Sequence, residues 1–269
     1  MEVHSLSGHT AWALLLEYDG GPFIGWQRQD RPPGTPAFGT SVQAVLEAAA
    51  AKLNGGAPVP SIAAGRTDAG VHAAGQVALL ALPDRLRASQ VRDALNFHMH
   101  PHKVAVLRAV PAAAGWNPRF SAISRRYRYT ILNRASRAVL QLGHVWQIPR
   151  ALDAAAMQAA AGRLVGHHDF TSFRATACQA RSPWRTLDRL DVTRLADTIE
   201  IVAEARSFLH HQIRNLAGTL RLVGEGRWSA DDVSHALAAR NRAAAGPTAP
   251  PDGLCLEHVG YDPDPFAPV

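Results

Sequence analysis

Gly65-Arg66-Thr67-Asp68-Ala69-Gly70-Val71-His72-Ala73 separates two short apolar runs, Val59–Ala64 and Gln76–Leu82. Runs of this length bounded by glycine read as consecutive strands, so the nine residues read as the loop that joins them. Glycines at 65, 70 and 75 give that loop backbone conformations other residues resist. Working outward, a helix flanks each strand. Thr40-x-x-Gln43 has the form of a capping box opening a helix over Ser41–Leu53, which Asn54-Gly55 closes. Arg85–Asn96 is helical by propensity, with Leu86, Val91 and Leu95 apolar. Further out lie two strand-like segments, Trp12–Tyr18 and Lys103–Val110. The order is β-α-β-β-α-β, the ferredoxin-like split pattern.

The second half repeats it. Arg126–Asn133 alternates as a strand, with Tyr127, Tyr129 and Ile131 on one face and Arg126, Arg128 and Thr130 on the other. Leu152–Val165 is an Ala-rich helix, and Leu187–Leu195 and Thr198–Ala205 form a strand pair turning near Ala196-Asp197. Ser207–Val223 reads as a helix, Ser229–Arg240 as a second one capped by Ser229, and Leu254–Tyr261 as the closing strand. The fold class expected is α+β: two tandem ferredoxin-like units, mainly antiparallel, with helices on one face and a central cleft where the two units meet. The Ala/Gly/Pro-rich link Pro111–Pro118 sets the expected units at 1–113 and 114–269. Gln29–Thr40 reads as a surface loop, and the last eight residues, with three Pro, as an extended tail.

The formal net charge of +6 is a poor summary of 28 Lys+Arg against 22 Asp+Glu. Between Ala94 and Leu152 there is no Asp or Glu, yet the stretch carries Lys103 and eight arginines: 108, 119, 125, 126, 128, 134, 137 and 150. The remainder is net negative, so the whole positive excess sits in one internal block. Such a block suits a polyanion such as nucleic acid; charge alone explains it equally well as a solvated face. Only two of the 28 cations are Lys. Arginine's fork favours phosphate, but a composition bias that also enriches Ala accounts for the same choice. The apolar runs are too short to span a bilayer, and Met1–Ser5 lacks the basic, then apolar, start of a secretory signal, so a cytoplasmic location is expected. Cys178 and Cys255 lack CxxC spacing, which speaks against a disulfide framework or a Cys-based zinc site.

Asp68 alone could simply bond neighbouring amides in a turn. That does not explain why Arg66 and His72 crowd the same loop. An arginine two residues before an aspartate can keep the carboxylate ionised, as a nucleophile requires.

The Gly65–Ala73 sequence resembles the signature loop of the tRNA pseudouridine synthase A (TruA) family. Other segments resemble that family in the right order. They are Glu17-Tyr18-Asp19-Gly20 with Gly25-Trp26-Gln27-Arg28-Gln29; Arg119-Phe120-Ser121-Ala122 with Arg126-Tyr127-Arg128-Tyr129; Asp169-Phe170-Thr171-Ser172-Phe173; Phe208–Asn215 with Val223-Gly224-Glu225-Gly226; and Gly253-Leu254-x-Leu256-x-x-Val259-x-Tyr261. The likeness runs from about residue 12 to 261.

The resemblance implies isomerisation of uridine to pseudouridine in the tRNA anticodon stem-loop, at tRNA positions 38–40, with no cofactor and no metal. The N1–C1′ bond breaks, the base turns, and C5 bonds to C1′. Asp68 matches the family's essential aspartate; it attacks C1′, attacks C6, or acts as a base on the sugar, and the sequence does not choose. Tyr127 matches the active-site tyrosine, Arg66 the residue filling the space a flipped base leaves, and Arg214 the arginine pairing with the aspartate. A stacked base must be flipped out to react, and a tyrosine ring can stack on it. Tyr127 and Tyr129 are also explicable as a buried aromatic face, a reading that fits Tyr129. His210 shares a helical face with Arg214, and packing or capping accounts for one of His210 and His211. Arg119, Arg125, Arg126 and Arg128 flank the tyrosine and are expected to hold the RNA backbone. The family implies tRNA as partner and a homodimer.

Two places depart from the family pattern. Asp30–Phe38 is longer than the corresponding loop. His98, His100 and His102 alternate where Asn-x-Asn-Leu-Pro is expected, which suits one strand face and an RNA-facing or exposed loop better than a metal site. Two other functions stay open: a non-catalytic RNA-binding module, against which stands the absence of an RNP1-type sequence, and the same chemistry on another RNA.

Overall fold

The computed structural model describes residues 8–29 and 39–267. The Asp30–Phe38 insertion and the Met1–Ser5 start therefore lie outside the described residues, as does most of the Gln29–Thr40 loop. The chain divides into two compact units, one built up to Ile123 and from Leu256 onward, the other from Ser124 to Cys255. The division falls after the Pro111–Pro118 link rather than within it. The reason is local: Tyr261 donates its hydroxyl to the Pro118 carbonyl at 2.9 Å, Trp116 packs on the Tyr261 ring, and the Ile123 amide donates to the Gly260 carbonyl. The link and the chain's final segment thus bind each other.

In the first unit the strands are β1 (His9–Tyr18), β2 (Ile62–Ala63), β3 (His72–Pro83) and β4 (Val104–Pro111), with helices α1 (Val42–Leu53) and α2 (Ala88–Met99). Antiparallel β4-β1-β3 form the sheet and β2 adds to β3 through Ile62↔Leu79 and Ala63↔Ala78. β3 is buried along almost its whole length, which explains its unbroken apolar run from Val77 to Leu82. Leu14, Leu16, Leu80 and Leu82 of the sheet, Leu46 of α1 and Leu95 and Met99 of α2 are all fully buried. The second face of β3 is covered at Leu79 and Ala81 by Ala11, Ile62, Ala112 and Trp116. Helix α1 is capped by Ser41, whose hydroxyl accepts from the Ala44 amide, and not by Thr40. Gln43 instead donates to Glu47 and accepts from the Arg28 amide.

The second unit contains β5 (Ser124–Leu132), β6 (Trp146–Gln147), α3 (Ala154–Ala161), β7 (Gly166–Asp169), β8 (Trp184–Leu195), β9 (Thr198–Ala205), α4 (Gln212–Gly224) and α5 (Ala230–Ala238). Its strands run β5-β9-β8-β7, all antiparallel, with β6 alongside β5 in parallel. Strand β10 (Leu254–Gly260) closes the chain's regular structure. Thus both halves are α+β and mostly antiparallel, as expected. The short strands β6 and β7 carry too few residues to show a period in sequence. Helix α4 starts five residues later than its pattern suggests, because His211 takes a left-handed backbone (φ 62°) and ends any helical path through Ser207–His210. α5 is opened by the reciprocal Ser229–Asp232 capping box. The end of the chain is not a free tail through its described part: Phe266 is buried and its carbonyl accepts from Arg108. No helix among the described residues is long and apolar enough to cross a membrane.

Candidate active site

The Asp68 loop leaves β2 and enters β3, and the first unit fixes it at several points. Thr67 is buried and its hydroxyl lies 2.8 Å from the Tyr18 hydroxyl at the end of β1. Gln76 of β3 donates to the Gly65 carbonyl at 2.8 Å and reaches the same tyrosine hydroxyl at 3.3 Å. The Trp26 amide donates to the Thr67 carbonyl at 3.0 Å, and the Gly70 amide to the Phe23 carbonyl at 3.3 Å. The Val71 amide closes a turn on the Asp68 carbonyl at 3.1 Å.

Two glycines allow the segment after β1 to come this close. A Cβ on Gly20 would fall 2.1 Å from the Val71 carbonyl oxygen, and one on Gly25 (φ 104°) 2.7 Å from that of Thr67. No side chain fits either place. Thr67 thus points inward while Arg66 is exposed and Asp68 half-exposed. A rigid frame that presents one carboxylate is what positioned catalysis requires.

His72 is the loop's other anchor. Its Nδ1 lies 3.0 Å from the Gly20 amide and 3.2 Å from Asp19 Oδ1, while Lys103 holds Asp19 Oδ2 at 2.7 Å. Burial pushes the Asp19 carboxyl up, but the hydrogen bonds from Lys103 and the Gly21 amide and the charges of Lys103 and His72 outweigh it and leave it below its ordinary value. His72 therefore serves the loop's geometry.

The other proposed pocket residues belong to the second unit. Tyr127, on β5, is 8% exposed and meets Phe208 edge-on at 5.4 Å. Tyr129, two residues on along the same face, is fully buried and donates to the Pro250 carbonyl at 2.8 Å. Burial pushes its phenol far up, the Arg214 charge opposing and Asp252 adding to the rise. It is a core residue, as its alternation suggests.

Arg214 projects from the first turn of α4, and its Nε donates to the Ala249 carbonyl at 2.8 Å while the Ala249 amide donates to the Arg214 carbonyl at 3.0 Å. The strap carrying Ala249 lies directly on α4: a Cβ on Gly218 would fall 1.7 Å from the Pro247 oxygen. Arg242 and Thr248 both donate to Asn215 Oδ1, at 3.1 and 2.6 Å, and the Gly246 amide donates to Thr219. One strap, residues 246–250, therefore fixes both the Arg214 guanidinium and the Tyr129 hydroxyl. Sequence reading missed this strap because its Gly-Pro-Thr-Ala-Pro sequence has no period.

The arginines beside Tyr127 differ from one another. Arg119 lies in the first unit, its guanidinium 5.6 Å from the Phe120 ring centre. Arg125 is buried and donates to the Arg206 carbonyl, which removes it from the surface where an RNA backbone contact was expected. Arg126 pairs with Glu204 at 3.1 Å and Arg128 with Glu200 at 2.8 Å. Sequence could not show this, because both glutamates come from β9, brought alongside β5 by antiparallel pairing. The block that lacks acids along the chain does not lack them in space.

The three alternating histidines are not on a strand. His98 lies in the last turn of α2, His100 is its C-cap, and His102 packs near the Phe23 ring at 6.5 Å. A helix's period separates residues that a strand would align.

The Asp68 loop thus lies in the first unit, and Tyr127 and Arg214 lie in the second, where the 246–250 strap holds Arg214 and Tyr129. Residues 15–121 and 160–262 match the tRNA pseudouridine synthase family model, and the chain belongs to that family. Its relatives carry the specific name tRNA pseudouridine synthase A. The protein of Acidiphilium cryptum is 64% identical over 256 residues, covering 95% of this chain and 98% of the relative. Those of Gluconobacter oxydans and Rhodospirillum centenum are 53% and 56% identical, covering 97% and 93% of this chain and 93% and 99% of theirs.

Proposed function

We propose that this chain converts uridine to pseudouridine in tRNA, at positions 38–40 of the anticodon stem-loop, with Asp68 as its single essential carboxylate. The observation that carries the reading is the frame around Asp68. Tyr18, Gln76, Gly20 and Gly25 hold the loop on both sides, yet Asp68 keeps a half-exposed place on it. Membership of the family supplies the reaction.

The isomerisation is balanced within the substrate. The N1–C1′ bond breaks, the uracil turns in place, C5 bonds to C1′, C5 gives up its hydrogen as a proton and N1 takes one. Asp68 serves by attack on C1′, by attack on C6, or as a base on the sugar, and each route needs it ionised. Tyr127 stacks on the flipped uracil and its hydroxyl assists the C5 proton. Arg66 occupies the space the base leaves, and Arg214 pairs with the carboxylate. Arg119, Arg126 and Arg128 hold phosphates. The protein works as a homodimer in the cytoplasm.

The test of the site is positional. Unmodified tRNA transcripts with uridine only at 38, 39 or 40 gain pseudouridine at those positions, and transcripts with cytidine at all three gain none. Modification confined to other positions overturns the assignment. RNA binding without any product favours the non-catalytic module.

A further inference from the structure

The outer strand β7 carries an aromatic and cationic cluster that the reading above does not use. His167 stacks on Trp184 of β8 with ring centres 5.2 Å apart and planes 22° apart, and its Nδ1 is held by the Thr186 hydroxyl at 3.0 Å. Trp184 is 44% exposed, and His167 is also exposed. The Arg240 guanidinium lies 5.9 Å from the Trp184 ring centre and its Nε is 3.5 Å from Asp169. Arg240 adopts a left-handed backbone (φ 47°) after α5. Glycine usually fills that position.

From Phe170 to Leu187 the chain has no acid and three arginines, Arg174, Arg181 and Arg185. Trp184 is the first residue of β8, paired with Asp169 of the outer strand β7. It is pre-stacked by a histidine and an arginine. Flat rings with guanidinium groups accept unpaired nucleobases without reading their sequence.

We propose that His167, Trp184 and Arg240 form an accessory RNA platform that stacks an unpaired base of the tRNA away from the reacting uridine. The inference rests on tRNA being the substrate. The platform adds affinity and leaves the chemical step alone.

The experiment compares full-length wild type, Trp184→Ala, Trp184→Phe and His167→Ala in tRNA binding and in pseudouridine formation. One stacked base is worth about 1–3 kcal/mol. Trp184→Ala is therefore expected to weaken binding and raise KM by about tenfold, with kcat within about twofold, while Trp184→Phe retains most of the affinity. Irradiation of wild-type protein with a tRNA carrying sparse 4-thiouridine is expected to cross-link to the His167 or Trp184 segment, a readout independent of any variant's folding. Unchanged affinity in both alanine variants, or cross-links confined elsewhere, overturns the platform. A changed association state of Trp184→Ala without RNA also overturns it, assigning the surface to a second copy of the chain. Full tRNA modification with a dispensable Trp184 sinks this inference alone. Wild-type protein that neither binds nor modifies tRNA sinks the enzymatic reading as well.

Discussion

The hydroxyls of Tyr18 and Thr67 lie 2.8 Å apart in the interior of the first unit, 49 residues apart in sequence. This bond ties the end of β1 to the residue immediately before Asp68, so the placement of the carboxylate depends on a tyrosine in another element. Tyr18→Phe leaves the Thr67 hydroxyl buried without that partner and deprives Gln76 of one acceptor. The expected cost is about 1–2 kcal/mol of stability, measured by denaturant unfolding. A larger proportional loss is expected in kcat. A cycle with Thr67→Val separates the two, because the double variant should cost less than the sum of the singles.

Gly20 and Gly25 are expected to be intolerant for steric reasons alone. Alanine at either meets a backbone carbonyl of the Asp68 loop at 2.1 or 2.7 Å, and neither atom can swing away as a side chain can. Each substitution should destabilise by about 3 kcal/mol or more, in the range of severe backbone clashes. Gly55, with open space around its absent Cβ, is the control. Its positive φ of 64° should cost Ala only about 1 kcal/mol.

Asp19 supplies a pH signature. Its folded-state value is lowered, so the stability it adds is present above the unfolded value of 3.8 and is lost as pH falls through the folded value. Asp19→Asn is expected to be less stable than wild type at neutral pH, with the difference closing below about pH 4. Thermal unfolding across pH 3–7 checks it. A difference that stays constant across that window contradicts the role of Lys103 and His72 in holding the carboxylate.

Arg126 and Arg128 stand beside glutamates as well as beside Tyr127. If they hold phosphate, Glu200 and Glu204 compete with the RNA. Glu200→Gln with Glu204→Gln is expected to tighten tRNA binding several-fold. Replacing Arg119, Arg126 and Arg128 together by Ala should weaken it and flatten the slope of log affinity against log salt by about 2–3. The stability change in the glutamine pair should stay within about 1 kcal/mol, since exposed ion pairs contribute little.

What could be read from the sequence follows period and position. The alternation of β5 gave the right face to Tyr127, Tyr129 and Ile131, and the run Thr198–Ala205 appears with the same bounds as β9. Both depend on neighbours two residues apart. The Asp68 loop was legible because glycines and its flanking apolar runs are local signals. The partners of Arg126 and Arg128 were not, because Glu204 and Glu200 arrive by pairing across more than seventy residues. The burial of Arg125 was equally hidden, its acceptor being a backbone carbonyl at Arg206. The three histidines misled because the segment continues a helix through Met99, where alternation does not make a face. The strap over α4 had no sequence signature at all: its role rests on the contacts of Gly218, Asn215 and Arg242.

The most direct measurement incubates wild type and Asp68→Asn with the same unmodified tRNA and maps pseudouridine by position, with tRNA affinity measured in parallel. The wild type should form pseudouridine at 38–40. The variant should form none over the same time while binding tRNA within a few-fold of wild type. Product formation by Asp68→Asn at the wild-type rate, or none by the wild type, would contradict the account.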